Sequence, residues 1–267
     1  NVASDEVTIR VNDPPVLSVD LATQSLQYSD ELSTVTLTAE DSDSESLTLT
    51  TTWAKDGGAV EEGLPGELST TAGGCAGDGQ GGSVCTWALD GQVLVGTGTY
   101  RITFSVDDGV DPREVTTELI VTAEDASVVF GDGNPVSVQV AEPDGASGGF
   151  VLIAGVSESE PDEPADLAGA GDIANAEVSM SLVPVGPGSS VSVACGSSTA
   201  GSGYGGVQTI TCNFSGVPVN TYTVEVKISG DYYIGLGEDV LTVYDPSLGF
   251  TTGGGWFYWP GTGDKTN

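Results

Sequence analysis

Apolar and hydroxyl side chains alternate residue by residue in block after block of this chain. Residues 33–40 read STVTLTAE, with Val35, Leu37 and Ala39 on one side of an extended strand and threonines on the other. The pattern recurs in SLTLTTTWA (46–54), VCTWALD (84–90), TYRITFSVD (99–107) and EVTTELIVT (114–122). A period of two sets one row of side chains against a core and the other toward water, as in a half-buried β-strand. Clusters of Gly, Pro, Asp and Ser separate the blocks, and no stretch carries a convincing helical period. About seven strands are expected between Val16 and Thr122. A second set follows in PVSVQVAE, GFVLIAGV, NAEVSMSLV, SVSVAC, VQTITCNF, TYTVEVKIS and EDVLTVY. The chain is therefore predicted to be all-β. Two tandem Ig-like β-sandwiches (14–123 and 124–246) are expected, with an extra strand at each end (1–13 and 247–267).

An internal repeat supports two modules. GTGTYRITFSVDDG (96–109) matches VNTYTVEVKISGD (219–231) in position and pattern. Tyr100 and Tyr222 each open a penultimate strand, where a tyrosine corner belongs. A final-strand pattern occurs three times, in DEVTIRVND (5–13), EVTTELIVTAED (114–125) and EDVLTVYD (238–245), closed by Asp13, Asp125 and Asp245. By that logic residues 1–13 are the last strand of a preceding module, or a donor strand. Residues 247–267 begin a further β module. Asn1 is not an initiator Met and no signal peptide is visible, so the sequence reads as processed or excerpted.

Charge narrows the partners. Asp plus Glu is 39 and Lys plus Arg is 6, a net charge of −33 over 267 residues. The basic residues Arg10, Lys55, Arg101, Arg113, Lys227 and Lys265 are scattered. No basic patch exists to neutralise phosphates, which excludes nucleic acid as a partner. Anionic membrane surfaces would repel the chain, and no apolar run reaches the roughly 18 residues of a span, so no membrane insertion is expected.

The cysteines fall in two local pairs. Cys75 and Cys85 close CAGDGQGGSVC, and Cys195 and Cys212 bracket CGSSTAGSGYGGVQTITC. Neither pair has CxxC spacing and the chain has no His, which disfavours a zinc site. Two disulfides, one per domain, are predicted, and they imply an oxidising compartment: extracellular, secreted or cell-surface.

Together these motifs resemble tandem Ig-like modules of the cadherin-like, PKD-like and related types found in large bacterial or archaeal surface proteins. NDPPVLSVD is similar to an inter-module linker of such repeats. YSDELSTVTLTAEDSDSESL, GLPGELS and GTYRITFSVDDG resemble one module, VTAEDASVVFGDG and GDIANAEVSMSLV a second, and GFTTGGGW with GDKTN the start of a C-terminal β-rich module.

Carboxylates gather at predicted strand ends. Asp41 and Asp43 follow one strand, and Asp107, Asp108 and Asp111 follow another. The corresponding turns lie at one end of a sandwich, where linker residue Asp13 would enter. Hard oxygen donors from separate loops suit structural Ca2+, which takes about 6–8 oxygens, and the resemblance to cadherin-like modules points the same way. Asp and Gly are also ordinary turn residues, and no loop has EF-hand spacing. Within SESEPDEPADLAGAGDI (157–173), Glu158, Glu160, Asp162, Glu163, Asp166 and Asp172 form a second acidic candidate, with Asp231 and Asp239 able to join.

Catalytic constellations are weak. Without His there is no Ser-His or Cys-His pair. GDGQGG (77–82) matches a bare G-x-G-x-x-G but lies between cysteines with no helix after it. Trp53 and Trp87 sit in alternating strands and read as core. Asn213 heads an NFS glycosylation sequon. Val7, Ile9 and Val11 of the first strand, and Trp256, Phe257, Tyr258 and Trp259 of the tail, read as assembly residues. In a strand, adjacent aromatics point to both faces, so both faces need covering. The expected function is non-enzymatic: a subunit of an extracellular filament or stalk, assembled with copies of itself or neighbouring modules through strand pairing. The alternatives are an adhesin or carbohydrate-binding module, with the tail aromatics on sugar rings, and an accessory region of a larger secreted enzyme.

Overall fold

The structure, a computed structural model, describes residues 11–77, 79–159, 171–202 and 205–248, together with the backbone of two short paired strands at Phe257–Tyr258 and Lys265–Thr266. In the first sandwich the strands are β1 (Val16–Val19), β2 (Thr23–Gln27), β3 (Val35–Asp41), β4 (Thr48–Lys55), β5 (Glu61–Glu62), β6 (Ser69–Gly77), β7 (Ser83–Asp90), β8 (Gly98–Asp107) and β9 (Arg113–Thr122). One sheet has the order β1-β3-β7-β6 and the other β2-β9-β8-β4-β5. The chain switches sheets between β1, antiparallel to β3, and β2, parallel to β9.

The second sandwich repeats the plan with β10 (Glu124–Phe130), β11 (Ser137–Gln139), β12 (Phe150–Glu158), β13 (Glu177–Pro184), β14 (Val191–Ser192), β15 (Cys195–Ala200), β16 (Val207–Phe214), β17 (Asn220–Ser229) and β18 (Tyr233–Tyr244). Its order is β14-β13-β17-β18-β10-β12-β16-β15, with β11 parallel to the end of β18. Here β10 bridges the two layers, pairing along β12 and touching β18 at Tyr233 and Ile234. The close crossing needs glycine on β18: a Cβ at Gly235 would strike the Ala126 carbonyl, and one at Gly237 the Val128 side chain.

Alternation fills both cores. Val35, Leu37 and Ala39 of β3 face Ile102, Phe104 and Val106 of β8 across the first interior, with Trp87 and Leu119. Leu152, Ala154 and Val156 of β12 face Val224, Val226 and Ile228 of β17 across the second, with Phe214 and Leu241. Trp87 is buried, and Trp53 packs against the same core, its ring 5.8 Å from that of Tyr100. Both tyrosine corners form. The Tyr100 hydroxyl donates to the Gly96 carbonyl at 2.7 Å and the Tyr222 hydroxyl to the Pro218 carbonyl at 2.9 Å.

Both disulfides are present, Cys75–Cys85 and Cys195–Cys212. Their setting differs from the sequence expectation of loop closures. Cys75 lies in β6 and Cys195 in β15, each directly opposite its partner on the neighbouring strand. Each bond ties an edge strand to the strand beside it. These edges, STTAGGCAG and CGSSTA, are rich in Gly, Ser and Ala, which carry little strand propensity. Pairing with β7 and β16 overrides that preference.

Burial pushes the Tyr100 hydroxyl up to about 12, with Tyr232, Asp56 and Asp231 adding to it. Its neutral form is thus favoured by folding, relative to an unfolded tyrosine near pKa 10. That stability is complete below pH 10 and is lost as pH rises from 10 through 12. Tyr100→Phe should lower stability by about 1 kcal/mol at neutral pH in urea denaturation, and should flatten this alkaline loss. An unchanged midpoint would mean that the corner hydrogen bond contributes nothing.

Candidate functional site

The linker end of the first sandwich is built from three chain segments. The linker enters at Val11, 78% exposed, and its Asn12 amide donates to Asp108 Oδ2 at 2.9 Å. Asp13 N donates to Asp43 Oδ2 at 3.2 Å, and Ser42 Oγ donates to Asp13 Oδ2 at 3.1 Å. The β3–β4 and β8–β9 turns therefore meet the linker, as the sequence predicts.

Within that convergence most carboxylates have local duties. Asp41 Oδ1 accepts from the Asp43 and Ser44 amides at 2.9 and 2.7 Å. Asp107 accepts from Gly109 N at 2.7 Å, and Asp111 pairs with Arg113 at 2.9 and 3.1 Å. The Asp111 and Val110 amides, then the Asn12 side chain, hold the Asp108 carboxyl below its usual range. Among the described residues no group of three or more carboxylates converges at metal-holding distance. One atom stands out: Asp41 Oδ2 is buried with no hydrogen-bond partner. Buried polar atoms are almost always satisfied by protein, water or an ion. Asp41 lines a groove of about 540 Å3 with Asp13, Pro14, Glu40, Ser42 and Ser83. Hard oxygens with one unmet acceptor are donor chemistry suited to calcium.

Sequence reasoning missed the joint between the sandwiches. A single residue, Ala123, separates β9 from β10. Tyr28, which follows β2, leaves its own domain and is buried in the core of the second. Its ring meets Tyr232 at 5.0 Å and Tyr233 at 5.4 Å, both edge-on. Its hydroxyl accepts from Asp172 N at 3.2 Å and Asn175 Nδ2 at 3.1 Å. Backbone bonds flank the plug: Tyr28 N to Thr122 O at 2.9 Å, Thr97 N to Asp231 O at 2.7 Å and Glu124 N to Tyr232 O at 2.8 Å.

Glu158 belongs to this joint and not to a surface loop. It ends β12 facing inward, and its Oε2 accepts from Tyr233 Oη at 3.0 Å and Gly171 N at 3.2 Å. Burial, then the Glu158 charge, raises the Tyr233 hydroxyl well above its ordinary range. The signal was available: alternation through Leu152, Ala154 and Val156 carries on to Glu158. Gly171 is required here, because a Cβ would strike the Tyr28 ring and the Tyr233 hydroxyl.

The remaining candidates are dispersed. Glu160, Asp162, Glu163 and Asp166 lie outside the described residues, as do Val7, Ile9, Trp256 and Trp259. Phe257 and Tyr258 form a strand that pairs with Lys265 and Thr266. Asp172 caps a 3-10 turn by accepting from Ala174 N, and Asp239 accepts from Val240 N. Asn213 is exposed on β16, in register with Val151. The chain matches no protein-family model and no curated protein.

Removing the plug separates the domains energetically. Tyr28→Ala should cost about 3–5 kcal/mol, as for other buried aromatic truncations. Scanning calorimetry should then show two transitions in place of one, and small-angle scattering a wider spread of domain arrangements. A single unchanged transition would show that the joint does not couple the sandwiches.

Proposed function

We propose that the chain is a structural element of an extracellular filament or stalk, a stiff pair of Ig-like modules that joins copies of itself or neighbouring modules end to end. The observation that carries this reading is the joint. A one-residue connection filled by Tyr28 leaves the two sandwiches little freedom to pivot, which is what a spacer needs and a tethered binding domain does not. Two disulfides support an oxidising location. No helix among the described residues is long and apolar enough to cross a membrane. Strand pairing at the ends is the proposed mode of joining, with Val7, Ile9 and Val11 as the apolar row of the incoming strand.

Electron microscopy of the native material tests this directly. Linear assemblies should appear, and Ile9→Asp should abolish them while leaving the melting temperature unchanged. Monodisperse particles at micromolar concentration would count against the reading.

Calcium is proposed at the linker end, with the unmet Asp41 Oδ2 as the observation in its favour; Asp13 and Asp43, which do not converge with Asp41 at metal-holding distance, would have to draw in around the ion. A bound ion there would neutralise mutual repulsion and tie linker to sandwich. Saturation at a hundredfold excess over the dissociation constant adds about 2.7 kcal/mol, or a rise of several degrees in melting temperature. Asp41→Asn should remove the rise. Equal melting curves with calcium and with chelator would dismiss the ion.

A further inference from the structure

Sheet edges in this molecule are unequally protected. A free edge offers a row of unpaired N–H and C=O groups, and natural proteins blunt it with charge, Pro, a bulge or extreme shortness. β5 is two residues long and both are Glu; β14 is also two residues long. β1 follows Pro14 and Pro15 and spans four residues. β6 carries a register shift between Ala72 and Gly74. At β2 the Gln24 side chain reaches over to the Ser33 carbonyl at 2.8 Å.

β15 has none of these devices. Its six residues, CGSSTA, pair with β16 in unbroken register, and no described strand lies beyond it. Cys195 and Cys212 oppose each other with Cα atoms 4.4 Å apart. That spacing marks a non-hydrogen-bonded pair. The N–H and C=O groups of Cys195, Ser197 and Thr199 therefore point away from β16, toward the free edge. The disulfide fixes the strand so that it presents them in one register.

Charge selects what can approach. From Val178 through Val224, a stretch that includes β14, β15 and β16, not one Asp, Glu, Lys or Arg occurs, in a chain of net charge −33. The outward side chains of the sheet beside this edge, Val207, Thr209, Thr211 and Asn213, with Val151 and Ile153, are likewise neutral. A second copy offering any of its acidic surfaces meets no compensating charge here. The same neutral edge of a second copy meets no repulsion, and antiparallel strands match each other around a two-fold axis.

We propose that β15 pairs antiparallel with β15 of a second copy, extending one sheet across both molecules. This is a lateral contact, separate from the end-to-end joining proposed above. Three outward residues on each copy exchange about six backbone hydrogen bonds. The contact is smaller than the roughly 800 Å2 per partner of a stable dimer, so single copies associate weakly, and copies aligned along a filament associate through many such edges at once.

The test uses the full chain in 0.5 M NaCl, where the screening length falls to about 4 Å, from micromolar to millimolar concentration. Sedimentation should show a concentration-dependent dimer, and hydrogen exchange should show the Ser197 and Thr199 amides becoming protected as it forms. Ser197→Pro removes one outward N–H without taking a bond from β16, and it should leave a monomer. Repeated in 0.1 M NaCl, where the screening length is about 10 Å, Ser198→Lys, which sets like charges against each other, should weaken association at least tenfold relative to wild type, whereas Thr223→Lys on the opposite sheet should not. Circular dichroism confirms folding of each variant; should the proline variant unfold, the lysine variant and wild-type exchange decide. The idea is overturned by a monomer at every concentration, by a dimer whose Ser197 and Thr199 amides still exchange freely, or by a dimer indifferent to both edge variants. Ile9→Asp should leave this dimer intact, so its failure and that of end-to-end joining are told apart.

Discussion

One residue, Ala123, connects the last strand of one sandwich to the first strand of the next, and the rest of the architecture accommodates that shortness. With no slack in the chain, two sandwich ends are forced into contact, and the space between them must be filled. Tyr28 fills it from the first domain, and Tyr232 and Tyr233 receive it from the second. Edge-on aromatic pairs of this kind add about 0.5–1.5 kcal/mol each beyond their burial. Burying Glu158 beside them is tolerated because Tyr233 and Gly171 both donate to its carboxylate. The joint is therefore polar and specific at its centre, where an apolar contact would allow sliding.

Away from the joint, the disulfides act on hairpins and not between sheets. Each clamps a strand that has little intrinsic reason to be one, since Gly, Ser and Ala together make up most of β6 and β15. The sandwich layers themselves are held by alternating apolar side chains and by the two tyrosine corners. The two contributions meet at Cys85 and Cys212, which are buried in the cores while their partners lie on the edge strands.

Much of this plan was legible in the residues. Wherever Val, Ile, Leu or Phe alternated with Thr, as in β3, β8, β9, β16 and β17, the strand appeared within a residue or two of its expected bounds. The pairing of the cysteines follows from their spacing, and the meeting of linker and turns around Asp13, Asp43 and Asp108 from the sandwich plan, which sets those turns at one end. What was hidden depended on long-range contacts. β6 and β15 lack propensity and exist through their neighbours. Tyr28 reads as an ordinary residue after a strand until the second domain is brought against it. Composition places Glu158 in an acidic loop, although its parity with Val156 turns it inward. The expected carboxylate cage shows why density of Asp is a poor guide: Asp107, Asp108 and Asp111 are largely occupied in shaping their own turn.

The switch of the first strand between sheets has a mechanical side. Because β2 runs parallel to β9, with Thr23–Gln27 opposite Glu118–Thr122, the entering and leaving strands of the module point the same way. The second module repeats this with β11 beside β18. A pull on the two chain ends then drags these neighbours in opposite directions along their length, so the hydrogen bonds between them carry load together in shear and do not peel open one at a time. Both disulfide loops lie between the paired strands in sequence, and tension would reach them only after that patch has parted.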